Sequence, residues 1–407
     1  MYTDNKLILY SAKIHPSEEE IERLNNCMQD VEDWEMVIEK IVRSNMGPML
    51  YAKIPHLSNS DLIPDESMKH LKQSYFQTLS RGSLMYQLLR KTVQILREHG
   101  IEVIVLKGAY LAEAVYEDIA LRLFSDIDLL LRSEEEARRA LDILVKEGYE
   151  VEENDEMLDF LQDKVGFIHL PQVVFRGIPI ELHARLHRIE EDYDFSSEYM
   201  WEHHEKRFLN GLEMNTPDPS DLLIHVCIHL DKHFKNGKIQ LTGLNDIVNI
   251  LEIFKDQLDW SEIIGRSIKY NCEDIVFKYI MLAHKEYDAF IPHYIYGEYI
   301  NFISEEEIEL FHKYLSGFKG EHFSVVTGLK RIKSLSNYGD KIKYVLWMMF
   351  PSRKYMMRSY KLKNKNKVWM YYPYRFWLGI IGGIRSLRHK KKFQDMDYKR
   401  NSNDVES

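Results

Sequence analysis

The chain has 407 residues, 45% hydrophobic and 29% charged, with a formal net charge of −10 at pH 7. This length exceeds that of one ordinary domain, and the apolar fraction excludes general disorder. The charge is uneven: residues 341–400 carry a net +15, whereas residues 1–340 carry −23. An acidic body argues against a polymerase that tracks long nucleic acid, because such a protein must neutralise many phosphates.

Three cysteines, Cys27, Cys227 and Cys272, lie far apart and form no C-x-x-C pair. Sparse, unpaired cysteines indicate a reducing compartment and argue against a disulfide framework or a cysteine-based zinc site. The first residues contain no basic segment followed by a sustained apolar run, so they do not indicate a secretory signal. Together these features predict a cytoplasmic protein.

The first 100 residues are predicted to be helical. Ser17 precedes three glutamates, a pattern typical of a helix start with a hydroxyl cap and acids in the first turn. A second helix is predicted from about residue 67 to residue 98, with Gly100 as its stop signal.

Short apolar runs replace the helical pattern after Gly100. The runs at residues 103–106, 126–131 and 178–183 predict strands of a sheet. Helical patterns return from about residue 195 to residue 335. The predicted fold class is α+β, with a small mixed-sheet core between N-terminal and C-terminal helical segments.

This pattern predicts four successive parts of the chain. They are an N-terminal helical segment (1–100), an α/β core (101–190), a helical domain (191–340) and a basic, aromatic C-terminal segment (341–407).

Three acids lie on the predicted strands. Asp126 and Asp128 are two residues apart, so their side chains project to one face with Cα atoms about 6.5–7 Å apart. Glu181 adds a third acid within an otherwise apolar strand. Converging carboxylates repel each other and suit Mg²⁺, and three of them could hold two ions about 3.5–4 Å apart. The alternative is an ion pair of Asp128 with Arg122 or Arg132.

A glycine turn lies between the first predicted strand and a helix, at Lys107-Gly108-Ala109. Glycine there lets a phosphate approach backbone N–H groups at the positive end of the helix. Lys107 adds a positive charge for a phosphate oxygen. An ordinary turn glycine is the alternative.

The order of apolar strand, glycine turn, helix, Asp-x-Asp strand and acidic strand resembles the core of the DNA polymerase β-type nucleotidyltransferase superfamily. More narrowly, residues 106–109, 122–130 and 180–183 resemble a bacterial family of uncharacterised nucleotidyltransferases. Ala109 differs from the Gly or Ser usual in the wider superfamily, and the gap from Gly108 to Asp126 is longer than in its minimal members.

The resemblance implies a nucleotidyltransferase core that moves a nucleoside monophosphate from an NTP to an unidentified hydroxyl-type acceptor and releases pyrophosphate. Mg²⁺, as two ions, would be the cofactor. Asp126, Asp128 and Glu181 would be the catalytic metal ligands, with Glu181 alternatively the general base.

Further site residues are implied by the same resemblance. The nucleotide-binding residues would be Lys107, Gly108, Ala109, Arg122 and Ser125. A purely structural role is the alternative for Arg122 and Ser125. His183, two residues beyond Glu181, is a candidate additional site residue.

Three histidines, His225, His229 and His233, recur every four residues and form one stripe on a predicted helix. A zinc-binding helix also needs a third ligand and usually an acid, as in H-E-x-x-H, but Val226 occupies that position. The favoured interpretation is a structural stripe, hydrogen-bonded to neighbours such as Asp246. Metal ligation is the alternative.

The C-terminal segment mixes aromatic and basic side chains. Its most apolar part, residues 369–384, is short and interrupted by Pro373 and Arg375, which argues against a membrane span. Aromatic residues flanked by bases suit a helix in the lipid headgroup region, so one hypothesis is peripheral membrane contact through residues 341–392. Docking of this segment on the body is the other hypothesis.

Two rival functions remain open. One is a non-catalytic nucleotide-binding protein, and the other is a membrane-associated assembly protein of a biosynthetic pathway. The expected partners are an NTP and a small-molecule, sugar or peptide acceptor, whereas long nucleic acid is disfavoured.

Overall fold

The computed structural model contains two compact units. The first comprises Met1–Glu152, Ile168–Phe234 and Lys238–Phe318, and the second comprises Glu153–Phe167, Lys235–Gly237 and Lys319–Ser407. The residues that the structure describes are 3–152, 157, 160, 164, 169–187, 191–235, 241–315, 331–362 and 364–377. The subdivision predicted at residues 100, 190 and 340 stays a prediction.

The N-terminal part of the first unit is helical, as predicted. Its α-helices are α1 (Thr3–Tyr10), α2 (Glu18–Gln29), α3 (Trp34–Arg43), α4 (Gly47–Lys53) and α5 (Asp65–Glu98). The helix start at Ser17 is confirmed: its hydroxyl accepts a hydrogen bond from the Glu20 N–H, and the Glu20 carboxylate accepts one from the Ser17 N–H. The long helix is confirmed as α5, and Gly100 follows it at a φ of +70°, which glycine adopts without strain.

One mixed sheet of seven strands lies in the described part of the first unit. The strands are β1 (Ile104–Val105), β2 (Ile127–Leu130), β3 (Glu150–Val151), β4 (Val173–Phe175), β5 (Ile178–His183), β6 (Glu205–Leu209) and β7 (Leu212–Thr216). Their order is β3-β4-β5-β2-β1-β7-β6. Strand β2 runs parallel to β5, and β1 runs parallel to β7, while the other neighbours are antiparallel. The predicted α+β class with a mixed sheet is confirmed.

The centre of this sheet is apolar because its strands carry β-branched residues and leucine. Ile104, Val105, Ile127 and Leu129 are all fully buried. Helix α6 (Lys107–Ala114) follows β1 and packs against β2, and α7 (Glu134–Lys146) follows β2 and packs against β5. The central strands are therefore fixed by packing, which fixes the polar residues at their ends.

The helical prediction from about residue 195 is wrong at β6 and β7, because these residues pair with each other and with β1 at one side of the sheet. The described α-helices of the first unit after β5 lie before and after these two strands. They are α8 (Ser197–His203), α9 (Pro219–Lys235), α10 (Leu241–Ile253), α11 (Trp260–Lys269), α12 (Glu273–Tyr287), α13 (His293–Tyr299) and α14 (Glu305–Leu315). Buried Asn249 of α10 holds the N-terminal segment, since its amide donates to the Ala12 carbonyl and accepts from the Ile14 N–H, both at 2.9 Å. Residues far apart in the chain are thus joined by specific polar contacts.

The second unit contains α15 (Tyr338–Met349) and α16 (Arg353–Ser359). Met157, Phe160, Leu335 and Tyr344 form its buried apolar cluster. Residues 378–392 of the predicted membrane-contact segment lie outside the described residues. Among the helices that the structure describes, none combines the length and the apolar character needed to cross a lipid bilayer.

Candidate functional site

The three predicted acids meet at one part of the sheet. Asp128 of β2 is paired in register with Glu181 of the neighbouring parallel strand β5. Asp126 lies immediately before β2, and its side chain lines the same cavity as the other two. The intervening Ile127 is fully buried. The alternation along β2 therefore sends an apolar side chain into the core and the two aspartates into the cavity.

Asp128 is the most enclosed of the three acids, with 4% of its surface exposed. Its Oδ1 atom lies 2.8 Å from Lys107 Nζ and 2.7 Å from His183 Nε2. Burial favours the neutral acid, but the Lys107 charge and the His183 hydrogen bond outweigh it and hold the pKa of Asp128 well below its usual value. Asp128 is therefore an anion at neutral pH. The alternative pairing with Arg122 or Arg132 is wrong, because these arginines bind Asp246 and Glu102 instead.

Glu181 is held by donors on both of its oxygens. Gln172 Nε2 donates to Oε1 at 2.5 Å, and His183 Nε2 lies 3.3 Å from Oε2. His169 Nε2 is farther from Oε2, at 3.9 Å. Burial opposes ionisation, yet the hydrogen bond from His183 prevails and lowers the pKa of Glu181 to about 2. His183 thus connects two of the three acids.

Asp126 has a different environment. Burial, followed by repulsion from Asp128 and Glu181, raises the pKa of this carboxyl above its usual value. The Ser125 hydroxyl donates a hydrogen bond to its Oδ1 atom at 3.3 Å. A cation placed beside it would relieve this repulsion and favour the ionised form.

The donor set fits a divalent cation. Ligand atoms of Asp128, Glu181 and His183 all lie within 4.8 Å of one another. Carboxylate oxygens are the ligands that Mg²⁺ prefers, and Asp126 can add another at the cavity wall. The geometry brings together the predicted acids and His183, although their function as ligands stays a prediction.

The predicted glycine turn forms the start of α6. Lys107 is its first residue and has a φ of +42°, in the left-handed region that is unusual for a residue with a Cβ atom. Gly108 lies against the segment before β2: a Cβ atom at this position would be 2.5 Å from Phe124 Cβ and 2.9 Å from Arg122 Nη1. Ala109 is buried, and its carbonyl accepts a hydrogen bond from Tyr86 at 2.5 Å. Glycine is required at 108 for close packing.

Gly108→Ala is expected to lower the free energy of unfolding by about 1–3 kcal/mol, since the added methyl group overlaps a packed side chain. Chemical denaturation measures this change. The control is Gly265→Ala in α11, where nothing lies within 4 Å of the added Cβ; it should instead raise stability by about 0.5–1 kcal/mol. Equal effects of the two substitutions would contradict the close approach at Gly108.

Arg122 forms an ion pair with Asp246, which lies far from it in the sequence. Its Nε and Nη2 atoms donate to the two oxygens of Asp246 in α10 at 2.8 and 2.7 Å. The Tyr116 hydroxyl donates to the same carboxylate at 2.9 Å. This buried, bidentate contact supports the interpretation that Arg122 holds the segment leading to Asp126.

The same segment has a second anchor that the sequence did not reveal. Arg81 of α5 donates to the carbonyl oxygens of Phe124 and Ser125, at 3.3 and 3.0 Å. Arg81 is one of many polar residues on a long helix, so its position in the sequence did not indicate a contact with this segment. Ser125 is therefore fixed through its backbone as well as through its hydroxyl.

A cavity of about 450 Å³ opens over these residues. The turn, the acids and several histidines share its lining, together with Lys232. The histidines among the described lining residues are His169, His183, His187, His225, His229 and His233. The stripe on α9 therefore faces the candidate site.

The predicted bond between this stripe and Asp246 is wrong, since Asp246 accepts from Arg122 and Tyr116. Burial, and then the charge of Lys107, lower the pKa of His225 to about 3. The same two causes hold the pKa of His229 well below its usual value, so both imidazoles are uncharged at neutral pH. They offer lone pairs or N–H groups to the cavity.

Comparison with known proteins identifies the family of this chain. The family model described as "Uncharacterised nucleotidyltransferase" matches residues 30–288, which include every site residue discussed above. Among solved structures, the antibiotic-resistance factor ANT(2'')-Ia is similar at 12% identity, with 51% of this chain and 98% of that chain covered and a TM-score of 0.31. An antigenic nucleotidyltransferase-like protein from Paracoccidioides brasiliensis has 14% identity, 47% and 88% coverage and a TM-score of 0.27. No curated protein matches. Because its model spans well over half of the sequence, the chain belongs to the uncharacterised nucleotidyltransferase family.

Proposed function

We propose that this nucleotidyltransferase transfers a nucleoside monophosphate from an NTP to a hydroxyl-type acceptor and releases pyrophosphate, in a Mg²⁺-dependent reaction. The observation that carries the proposal is the register of β2 and β5, which pairs Asp128 with Glu181 beside Asp126. Membership of the family supports the reaction class. The bond that forms joins the acceptor oxygen to the α-phosphorus, and the bond that breaks joins this phosphorus to the oxygen that bridges it to the β-phosphate. The acceptor hydroxyl loses its proton to solvent.

Asp126, Asp128 and Glu181 would hold two Mg²⁺ ions. When bound, these ions supply charge stabilisation to the attacking and leaving oxygens. Both Glu181 oxygens accept hydrogen bonds and its pKa is about 2, which favours a ligand role over that of a general base. His183 would fix the directions of Asp128 and Glu181 through its Nε2 atom, as a candidate additional ligand or as a positioning residue.

The nucleotide would lie at the start of α6. Lys107 and Gly108 line the cavity there, and the positive end of the helix favours phosphate. Ala109 would contribute through its backbone, because its side chain is buried. Arg122 and Ser125 would support the nucleotide through the position of the segment before Asp126.

The acceptor would be a small molecule, a sugar or a peptide. The cavity of about 450 Å³ suits a compact substrate. Residues 1–340, with a net charge of −23, would repel long nucleic acid. The cytoplasmic location inferred from cysteine usage stays part of this proposal.

Pyrophosphate release tests the reaction directly. The full chain is incubated with each NTP, Mg²⁺ and a fractionated cell extract as the acceptor source, and the NTP is labelled at the α-phosphate. Label transferred to an acceptor with stoichiometric pyrophosphate supports the proposal. Tight Mg²⁺–NTP binding without transfer over a broad acceptor screen would instead favour the non-catalytic nucleotide-binding alternative.

Peripheral membrane contact is a second proposal, and it concerns the second unit alone. Its described part exposes large apolar side chains, among them Tyr338 (82%), Phe350 (61%), Trp369 (69%) and Trp377 (60%). Bases lie between them in sequence, including Lys341, Lys343, Lys361 and Lys367. Aromatic side chains with interspersed bases fit the headgroup region of an anionic membrane, where a membrane-associated assembly protein would act.

We expect the full chain to float with vesicles containing phosphatidylserine and not with neutral vesicles. Trp369→Ser/Trp377→Ser should weaken this binding at least about tenfold, because two large apolar side chains no longer enter the lipid. The matched control is Phe208→Ser in the first unit, where an equally exposed aromatic residue (73%) should have no effect. Flotation that is absent, or unchanged by the tryptophan substitutions, would refute membrane contact through this segment.

A further inference from the structure

Two histidines on the cavity wall have converging ring nitrogens. The Nε2 atoms of His229 and His233 lie 3.1 Å apart. Their ring centroids are 4.6 Å apart with an interplanar angle of 67°. Both residues project from α9 one turn apart, so the helix itself holds the pair in place.

This separation fits a shared metal ion. Imidazole nitrogens bind Zn²⁺ at about 2.0–2.1 Å, which places two ligands of one tetrahedral ion about 3.3–3.4 Å apart, a few tenths of an ångström more than the observed 3.1 Å. Without an ion, one ring must donate its N–H to the other at the observed distance. The contact is therefore either a simple hydrogen bond between the two rings or a pair of metal ligands.

The surroundings are rich in nitrogen donors. His225, one turn earlier on α9, lines the same cavity and is only 3% exposed. Its Nδ1 atom lacks a hydrogen-bond partner among the described residues. A buried imidazole nitrogen without a partner is costly, and water or a ligand within the cavity would satisfy it.

The local charge selects the type of ion. Lys107 and Lys232 also line the cavity, and the neutral imidazoles bring no negative charge to offset them, whereas a hard cation such as Mg²⁺ prefers carboxylate oxygens. Imidazole lone pairs instead favour ions such as Zn²⁺, Co²⁺ or Ni²⁺, whose bonds to nitrogen have covalent character. The carboxylate cluster and the histidine pair therefore prefer different ions.

We propose that His229 and His233 form a second metal site on the α9 wall of the cavity, which takes a borderline divalent ion of the Zn²⁺ type. The helix supplies two ligands, and the third ligand that such a site needs would be water or, if the proposed transferase reaction holds, an oxygen of the acceptor. The site would thus contribute acceptor binding on the wall formed by α9. It stands independently of the proposed Mg²⁺ ligands, because it shares no residue with them.

The test uses the full chain, freed of metal by chelation and then titrated with Co²⁺ in excess Mg²⁺. Visible absorption reports coordination by nitrogen, and calorimetry gives stoichiometry and affinity. Wild type should bind one Co²⁺ with ligand-field bands, and Asp126→Asn/Asp128→Asn should bind it equally well. His229→Gln, His233→Gln and the double variant should weaken binding at least about tenfold. The matched control, His293→Gln at an exposed position of α13, should leave it unchanged.

Three results would overturn the proposal: no Co²⁺ binding by wild type, binding retained in both single histidine variants, or binding lost only in the aspartate variant. Circular dichroism checks that each variant is folded, and the single variants serve if the double variant is not. If the wild-type protein binds Co²⁺ but transfers no nucleotide, the proposed reaction is refuted and this site is not. If the wild-type protein transfers a nucleotide but does not bind Co²⁺, this site is refuted and the proposed reaction is not.

Discussion

Asp126→Asn/Asp128→Asn is expected to reduce Mg²⁺-dependent pyrophosphate release by at least about 10³-fold. The two substitutions remove two of the three anionic ligands proposed for the metal ions, whose charge stabilisation of the transition state is worth several kcal/mol. The amide oxygen at 128 can still accept from Lys107 and His183, so the contacts that hold the site are partly retained. A coupled pyrophosphate assay on purified protein measures the effect.

The matched control for this pair is Asp256→Asn, an exposed aspartate of the same unit, which should keep wild-type activity. Thermal unfolding shows whether the double variant remains folded. Wild-type rates from a folded double variant would exclude the carboxylates from catalysis. Activity in cells that survives the double substitution would instead favour the assembly-protein alternative.

Asp246→Ala is expected to lower the free energy of unfolding by about 3–5 kcal/mol, because it leaves the buried Arg122 guanidinium without its partner. The Tyr116 hydroxyl loses its acceptor as well. The segment that carries Asp126 would lose its anchor, and kcat should fall by about 10²-fold, as expected for displaced catalytic groups. Chemical denaturation and steady-state kinetics measure the two effects.

Two further variants separate stability from positioning. Arg122→Met/Asp246→Leu/Tyr116→Phe removes all three polar partners, so its stability should approach that of the wild type. Asp246→Asn keeps one acceptor and should be intermediate in both measurements. A fall in KM for the NTP in Asp246→Ala, with kcat unchanged, would show that the released Arg122 binds phosphate, and would contradict a role in holding the segment.

Part of the sheet could be predicted because its central strands have continuous apolar runs. Burial on both faces leaves no polar alternation in β1, and only Asp128 interrupts the apolar residues of β2. Strand β5 instead alternates, with buried Ile180 and Leu182 on either side of half-buried Glu181. Strands β6 and β7 were missed because polar side chains, Lys206 and Arg207 in β6 and Glu213 in β7, interrupt their apolar pattern. A local signal did exist at Asn210-Gly211, where φ values of +47° and +75° form the hairpin turn that this dipeptide favours.

The candidate site was predictable to the extent that it depends on local spacing. Two aspartates on one strand face, and a third acid in another apolar strand, identify the carboxylates without knowledge of the register. The polar partners could not be predicted: Gln172 reaches Glu181 only through the register of the β4–β5 hairpin, and Asp246 reaches Arg122 only through packing between residues far apart in the chain. The histidine stripe shows the same limit: its period was clear, but the surface it faces depends on where α9 docks.

The contacts of Lys107 and His183 with Asp128 make the acid cluster partly self-neutralising. A newly made chain can therefore close this part of the sheet before any metal ion arrives, and chelation should remove activity without unfolding the protein. A metal ion that enters must compete with these resident cations. An incoming nucleotide would attract Lys107 to its phosphates and away from Asp128. The metal ion could then replace Lys107 as the counter-ion of Asp128, so nucleotide and metal ion should bind cooperatively.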